Sequence, residues 1–208
     1  GMENQNEKVI FQPERYSPTA KTIRTKGSLE EWQRHVVELC KGNPILIFSI
    51  CASFAGALLK SSGLDSGGFN IYGDSSGGKT TTAQIAATVW GCGADPGLAP
   101  DMAYVRKWNA TANAVEGLAA AHSDGLLILD ELQTCSAKDF GKLIYDLTGG
   151  QGKVAMDASR NLKAQRSWRI MLFSTGEMSV REKIEREGGI VKAGQLIRVL
   201  DILTTDLF

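Results

Sequence analysis

The sequence predicts an α/β protein whose mostly parallel central sheet lies between two layers of helices. Short apolar runs with the character of strands alternate with stretches of helical periodicity along most of the chain, as is typical of a doubly wound sheet. The run 126–129, Leu-Leu-Ile-Leu, is continuously apolar, which is expected of a central parallel strand buried on both faces. A glycine-rich turn at 73–78, between a strand and a helix, is the third indication.

The first 68 residues predict a polar lead-in followed by a helical segment, 28–68. Residues 1–27 are polar and show no apolar period, so we expect an extended, partly disordered stretch. Ser28-Leu29-Glu30-Glu31 has the form of a capping box and begins a first short helix. Asn43-Pro44 begins a second helix, which runs to about Lys60. Its residues are apolar nearly all round, which predicts burial on most faces.

The elements of the core, 69–208, follow at regular intervals. The spacing of apolar residues predicts both strands and helices by the usual periods of 2 and 3.6. The predicted strands are 69–72, 102–108, 126–129, 168–174 and 195–202, and the predicted helices are 79–90, 111–122 and 138–147.

Composition excludes several classes of function. The 23 basic and 23 acidic residues cancel, so any contact with nucleic acid must come from a local patch. The four cysteines include no Cys-x-x-Cys pair; their spacing predicts no disulfide framework or zinc site and favours a reducing, cytoplasmic compartment. The apolar run 45–59 is shorter than the roughly 20 residues that span a bilayer, so we expect a buried helix and no membrane contact.

The glycine-rich turn carries the most specific motif. Residues 73–80 match G-x-x-x-x-G-K-[ST], in which backbone N–H groups cradle phosphates, Lys79 reaches the β- and γ-oxygens and the Thr80 hydroxyl binds Mg²⁺. The alternative is an ordinary turn before a helix, but the strand and the helix that the motif requires are both present. We therefore predict a P-loop NTPase that binds ATP and Mg²⁺. The predicted binding residues are Gly73, Asp74, Ser75, Ser76, Gly77, Gly78, Lys79, Thr80 and Thr81.

Two adjacent acids follow the apolar strand 126–129. We expect Asp130 to hold the Mg²⁺ and Glu131 to be the catalytic base that polarises the attacking water; the alternative for Glu131 is a solvated loop acid. An adjacent pair is typical of ATPases that activate water, rather than of kinases or Ras-like GTPases. The pair and the extra strand predicted at 102–108 indicate a three-layer P-loop NTPase of the additional-strand (ASCE, RecA/AAA-like) type, preceded by a short helical segment.

Two further regions supply candidate residues with less specific signals. The stretch 149–166 contains Lys153, Arg160 and Lys163 and is either a surface that meets the backbone of a nucleic acid or a solvated loop or hairpin. Ser174 and Thr175, at the end of a predicted strand, either orient the attacking water or cap the next helix.

Arginines after residue 180 are candidates for a finger that reaches the γ-phosphate bound to a neighbouring subunit. We favour Arg198 or Arg181, and the alternative for each is a surface or salt-bridge role. Such a finger requires a homo-oligomeric ring in the active form.

A series of motifs follows along the chain: 108–122 (WNATANAVEGLAAAH), 126–132 (LLILDEL), 150–153 (GQGK), Trp168 and 174–177 (STGE). In this order they resemble the domain-of-unknown-function 927 family of bacterial and phage P-loop proteins, which are often described as helicases and occur near or fused to primase modules. The resemblance implies an ATPase of the catalytic-glutamate type that acts on DNA, single-stranded or forked, in replication of phage or mobile elements, with a primase as partner. The sequence departs from the family pattern at Gln133-Thr134 and Val154-Ala155, and its early end implies a truncated C-terminal part of the family domain.

Three functional hypotheses remain open from the sequence. The first is a helicase-like motor ATPase that depends on nucleic acid, which Glu131 and the basic stretch 149–166 favour. The second is a phosphotransferase (kinase) for a small molecule or nucleotide, with 149–166 as its lid. The third is an ATP-dependent switch that is not a motor.

Overall fold

The computed structural model describes residues 21–75, 77–154 and 164–205. Within these ranges the chain forms a single sheet and seven α-helices. The strands are β1 (Gly67–Tyr72), β2 (Arg106–Lys107), β3 (Gly125–Asp130), β4 (Ile170–Gly176) and β5 (Val199–Leu203). The helices are α1 (Leu29–Trp32), α2 (Pro44–Leu58), α3 (Lys79–Ala87), α4 (Ala112–Ala121), α5 (Phe140–Gly149), α6 (Val180–Arg186) and α7 (Ala193–Leu196).

All described strands are parallel, in the order β2-β3-β4-β1-β5. The strand that separates β1 from β3 in the sheet is β4, so the additional strand comes from late in the chain. The strand predicted at 102–108 shrinks to the two residues of β2, which pairs only with β3, at the edge. Its apolar residues 103–105 are buried in a loop instead. The predicted α/β class and additional-strand sheet are confirmed.

Helices cover both faces of the sheet and make three layers. On one face, α2 and α3 enclose a core that includes Leu126, Ile128 and Phe173. On the other face, α4, α5 and α6 pack on a core that includes Leu127 and Leu129. Alternate residues of β3 thus belong to different cores, which explains why its run is apolar without interruption.

The capping interactions predicted at the first residues of α1 and α2 are confirmed. The Glu31 N–H donates to Ser28 Oγ (3.2 Å) and the Ser28 N–H donates to Glu31 Oε2 (2.9 Å), which completes the capping box. Asn43 Oδ1 accepts from the N–H groups of Ile45 and Leu46, both at 3.2 Å, and Pro44 takes the first helical position. Side chains and proline geometry therefore fix these two starts locally.

The prediction that the second helix is buried on most faces is wrong for its outer side. Ile47, Phe54 and Leu58 are 46%, 49% and 59% exposed. The physical reason is its place in an outer layer, where one side meets the sheet and α3 and the other side is covered only in part, for example where Trp32 meets Phe54.

The predicted last strand also differs, because Ala193–Leu196 is α7 and the strand begins at Val199. The strand predicted from 168 begins at Ile170, since residues 150–154 and 164–168 form the stem of an antiparallel hairpin. The Gly152 N–H donates to Arg166 O and the Trp168 N–H donates to Gly150 O, both at 2.9 Å. The two described ends of the basic stretch therefore lie side by side and antiparallel.

The N-terminal predictions are tested only in part. Residues 1–20 of the lead-in lie outside the described residues. Beyond them, an antiparallel bridge joins Ile23 to Gly91, and the Arg24 N–H donates to Trp90 O at 3.2 Å. The division predicted at residue 68 stays a prediction. Across the described ranges, no helix has the length and apolar character that crossing a bilayer requires.

Candidate active site

The loop after β1 leads directly into α3 and forms one wall of a cleft of about 330 Å³. Gly78, the residue before α3, has φ 79° and carries no side-chain cap. Glycine adopts this left-handed conformation without strain and leaves the first N–H groups of the helix open to an anion. Ser76 lies outside the described residues. The cleft-lining residues of the loop and helix are Ser75, Gly77, Gly78, Lys79, Thr80 and Thr81.

Lys79 is 9% exposed and its ammonium donates to the Asp74 carbonyl across the loop. An ammonium has three N–H donors, so this contact orients the group and leaves donors for phosphate oxygens. The positive charge thus lies at the start of α3, where the helix dipole also favours an anion.

Asp130 joins three parts of the cleft. Its Oδ2 accepts from Thr80 Oγ1 at 3.2 Å, and its Oδ1 accepts a short hydrogen bond from Thr175 Oγ1. The carboxylate is 4% exposed and forms no salt bridge with any described residue. A buried carboxylate next to a hydroxyl supplies the hard oxygen ligands that Mg²⁺ prefers.

The donor set fits a magnesium ion that takes some of its ligands from the protein and the rest from a nucleotide and from water. Among the described residues, no group of three or more His, Cys, Asp or Glu side chains lies close enough to hold a metal. Thr80 and Asp130 provide one hydroxyl and one carboxylate, and Mg²⁺ is usually bound by one or two carboxylates together with substrate phosphates and waters.

Glu131 lines the same cleft and has an unusual backbone. Its φ of 63° lies in the left-handed region, which a non-glycine residue occupies at a cost. Its Oε2 lies 3.0 Å from Lys107 Nζ, and both side chains are more than a third exposed. The hydrogen bond to Glu131 raises the pKa of Lys107 above its ordinary value.

The two hydroxyls predicted at the end of β4 lie on opposite faces of the sheet. Thr175 contacts Asp130. Ser174 donates to Asn70 Oδ1 at 2.9 Å and accepts from Trp108 Nε1 at 3.0 Å. The structure therefore places Thr175, itself fully buried, behind the cleft-lining Asp130, and places Ser174 in a separate buried network. Neither caps the next helix, because Ser179 and Glu182 form that capping box.

Sequence reasoning missed two residues that line the cleft, Gln133 and Glu177, and a third, Lys107, that reaches it from outside. Gln133 Oε1 accepts from the Glu177 N–H at 3.2 Å, and the Glu177 carboxylate accepts a short hydrogen bond from Ser75 Oγ. Lys107 reaches Glu131 from β2. Lys107 and Glu177 each lie at or just after the carboxyl end of a parallel strand, and that shared edge was the available signal.

The arginine candidates occupy different ends of the molecule. Arg181 lies in the first turn of α6, just beyond the carboxyl end of β4, and its exposed side chain pairs with Glu185 at 3.7 Å. Arg198 precedes β5, at the opposite edge of the sheet, and its guanidinium lies 4.4 Å from the ring centroid of Tyr145. Neither lines the cleft.

The basic stretch is described only at its stem. Lys153 Nζ lies 3.7 Å from Glu116 Oε1, and the Lys153 N–H donates to Glu116 Oε2 at 3.3 Å. The buried Glu116 thus anchors the stem on α4. Arg160 and Lys163 lie outside the described residues.

A solved structure of another protein has the same fold. The chain is similar to a structure described as "SCCmec type IV Cch - active helicase", with a TM-score of 0.68 and 23% identity over 88% of this chain and 33% of that chain. It therefore spans about a third of that protein. NtrX from Brucella abortus in complex with ATP aligns at a TM-score of 0.39 and 14% identity, over 84% of this chain and 42% of that chain, and carries no weight for the fold.

Sequence comparison gives one family. No curated protein matches the chain. The family described as Domain of unknown function (DUF927) matches residues 1–167, which is most of the chain. The chain therefore belongs to the DUF927 family.

Proposed function

We propose that the chain is an ATP-binding and ATP-hydrolysing motor domain, helicase-like, that acts on DNA in the replication of phage or mobile elements. The observation that carries the proposal is the position of Asp130, which is hydrogen-bonded both to Thr80 after the phosphate loop and to Thr175 of the additional strand. Glu131 lies beside it in the cleft that Lys79 lines.

Each residue has a role in this proposal. The loop N–H groups and Lys79 bind the β- and γ-phosphates, and Thr80 and Asp130 hold Mg²⁺. The ion, when bound, supplies positive charge that stabilises the transferred phosphoryl group. Glu131 accepts the proton of the attacking water, and Thr175 fixes the Asp130 carboxylate in position.

The DNA-binding part of the proposal is supported by the hairpin stem and by the fold shared with a helicase. We assign backbone contacts to Lys153, Arg160 and Lys163. The domain works as a homo-oligomeric ring with Arg181 acting in trans, and a primase is its partner. None of the described stem residues lines the cleft, so nothing there favours a kinase lid.

Two substitutions test the nucleotide chemistry. Lys79→Ala is expected to weaken ATP binding by at least about tenfold, the value of a charged hydrogen bond. Glu131→Gln is expected to keep ATP affinity and lower kcat by about 10²- to 10⁴-fold, as for loss of a general base. Calorimetric ATP titration and steady-state ATPase measurements separate the two effects.

The control is Lys60→Ala, which removes an exposed lysine outside this cleft and should change neither quantity. Unchanged ATP affinity in Lys79→Ala would refute the phosphate-loop assignment. A near-normal kcat in Glu131→Gln would remove Glu131 from the base role. Single-stranded DNA should raise the ATPase rate of the unaltered protein, and its failure to do so would count against the motor.

A further inference from the structure

A second cleft, of about 470 Å³, lies at the far end of α3. Its walls come from the segment 24–29, from Trp32 and Phe54, and from 88–92 at the end of α3. Since a helix rises about 1.5 Å per residue, Thr88 is roughly 13 Å from Lys79 along the helix. The cleft shares no lining residue with the candidate active site, so it is a separate site.

Three aromatic side chains line this cleft. The rings of Trp32 and Phe54 meet edge to face with centroids 6.4 Å apart, and Trp90 is the third ring. Both indole N–H groups are already used: that of Trp32 donates to Thr88 Oγ1 at 2.9 Å, and that of Trp90 donates to Ser53 O at 3.2 Å. The rings therefore offer a ligand apolar faces and edges rather than hydrogen bonds.

Two cations lie at the rim. Arg24 and Lys26 are exposed lining residues, and no acid is among the residues that line the cleft. Neither cation forms a salt bridge with another described residue. The segment that bears them is fixed, because the Arg24 N–H donates to Trp90 O at 3.2 Å and Ile23 bridges to Gly91. The cations are thus held beside the aromatic rings.

We propose that this cleft binds single-stranded nucleic acid, with one base against the aromatic rings and the flanking phosphates against Arg24 and Lys26. Stacking rings next to backbone-binding cations recognise single strands with little preference for base. The chemistry favours a base over an acidic peptide, because the ring N–H groups that a peptide backbone could use are occupied. The site deepens the proposed function, on which its biological role rests, but it lies apart from the ATP cleft.

Tryptophan fluorescence gives a direct readout on the full chain. Trp108 and Trp168 are 0% and 5% exposed, in the core on the other face of the sheet. Quenching by a ligand in this cleft therefore reports Trp32 and Trp90. An oligothymidylate of about ten nucleotides, the site size of a typical single-strand binder, is titrated without ATP, beside an abasic oligonucleotide of equal length and charge.

We expect the oligothymidylate to quench and to bind about five- to a hundredfold more tightly than the abasic strand, the range for one stacked base. Phe54→Ala should reduce oligothymidylate affinity by about fivefold or more and leave abasic binding unchanged. Arg24→Ala with Lys26→Ala should weaken both strands and flatten the salt dependence. Leu58→Ala truncates another exposed apolar residue of α2, 59% exposed against 49% for Phe54; it is the matched control and should have no effect.

Several outcomes would overturn the proposal: no quenching, equal affinity for both strands, or tighter binding of a poly-glutamate peptide, which would indicate a protein partner. ATP affinity should stay unchanged in Phe54→Ala, whereas it falls in Lys79→Ala. Loss of the stacking site and loss of the ATPase assignment are therefore distinguished by separate measurements.

Discussion

At the scale of single residues, two neighbouring hydroxyls at the end of β4 make contacts of different kinds. Thr175 contacts the candidate metal ligand Asp130, and Ser174 links Asn70 to Trp108 on the opposite face. Asn70 extends this hydrogen-bond network to β5, because its Nδ2 donates to Asp201 Oδ1 at 2.8 Å. One position therefore acts on the site and its neighbour on the core.

Substitutions at these two positions should change different quantities: kcat for Thr175 and the free energy of unfolding for Ser174. Thr175→Val is expected to lower kcat by about tenfold, since it removes one hydrogen bond to a charged group. Ser174→Ala is expected to cost about 1–3 kcal/mol of unfolding free energy, because the buried Asn70 and Trp108 groups lose their shared partner, while kcat of the folded protein is kept. Urea denaturation and ATPase assays on the same preparations check both; the reverse pattern would contradict the assignment.

Lys107 restrains Glu131 rather than stabilising the fold. Salt bridges this exposed contribute about 0–1 kcal/mol, so Lys107→Ala should leave the unfolding free energy nearly unchanged. It should raise kcat by up to about fivefold, the equivalent of that interaction, because it frees the carboxylate, and leave KM for ATP as it is. Lys107→Arg keeps the charge and is the control. A fall in kcat in Lys107→Ala would show instead that the lysine assists the reaction.

At the scale of elements, α2 crosses the start of β3 in backbone contact. A Cβ built on Gly56 would lie 2.4 Å from Gly125 O, so the helix cannot keep this distance with any larger residue. The absence of a side chain at Gly56 thus sets the spacing of one layer from the sheet.

Gly56→Ala is therefore expected to lower the unfolding free energy by about 1–3 kcal/mol, as for overpacking. Gly149→Ala is the matched control: a Cβ there meets nothing within 4 Å, so it should be neutral or slightly stabilising. The midpoints of urea unfolding of the two variants test this prediction, and equal midpoints would refute the close-contact explanation.

Elements with local signals could be predicted from the sequence. Capping side chains fixed the helix starts, and burial on both faces gave β3 its apolar run. The edge elements could not be predicted as well, because residues 103–105 are apolar and buried without being a strand. The same distinction holds at the site: the phosphate loop and Asp130 are local motifs, whereas the contact of Lys107 with Glu131 depends on strand pairing far from either residue.

At the scale of the whole molecule, the proposed arginine finger would add positive charge to a cleft whose described lining has little of it. Among the described residues that line the cleft, Lys79 is the only cation. In many enzymes of this chemistry an arginine finger, supplied in cis or in trans, stabilises the charge of the transition state. Arg181 is exposed near the same edge of the sheet, which is why we prefer it to Arg198, whose guanidinium lies against Tyr145.

Mixed rings test this assignment. Arg181→Ala should keep ATP affinity and lower kcat by about 10³-fold, as for loss of an arginine finger. This variant is then mixed with an equal amount of Lys79→Ala protein, which still carries Arg181. If subunits assemble at random in a symmetric ring, about a quarter of the sites should recover activity, because they combine Lys79 of one subunit with Arg181 of its neighbour. No recovery on mixing would place the arginine in its own subunit's site, or outside the reaction. Arg198→Ala should instead lower stability.

The order of strands also determines how long β1, the strand before the phosphate loop, waits for its neighbours during synthesis. Tyr72, the last residue of β1, pairs with Gly176 of β4 and Leu203 of β5. Ribosomes add about 5–20 residues per second, so the roughly 130 residues between Tyr72 and Leu203 take about 7 to 26 seconds. Throughout that time the strand before the loop lacks a neighbour, and such unpaired edges favour aggregation. The edge of β1 that Val199–Leu203 covers in the finished sheet therefore stays open until β5 has been made.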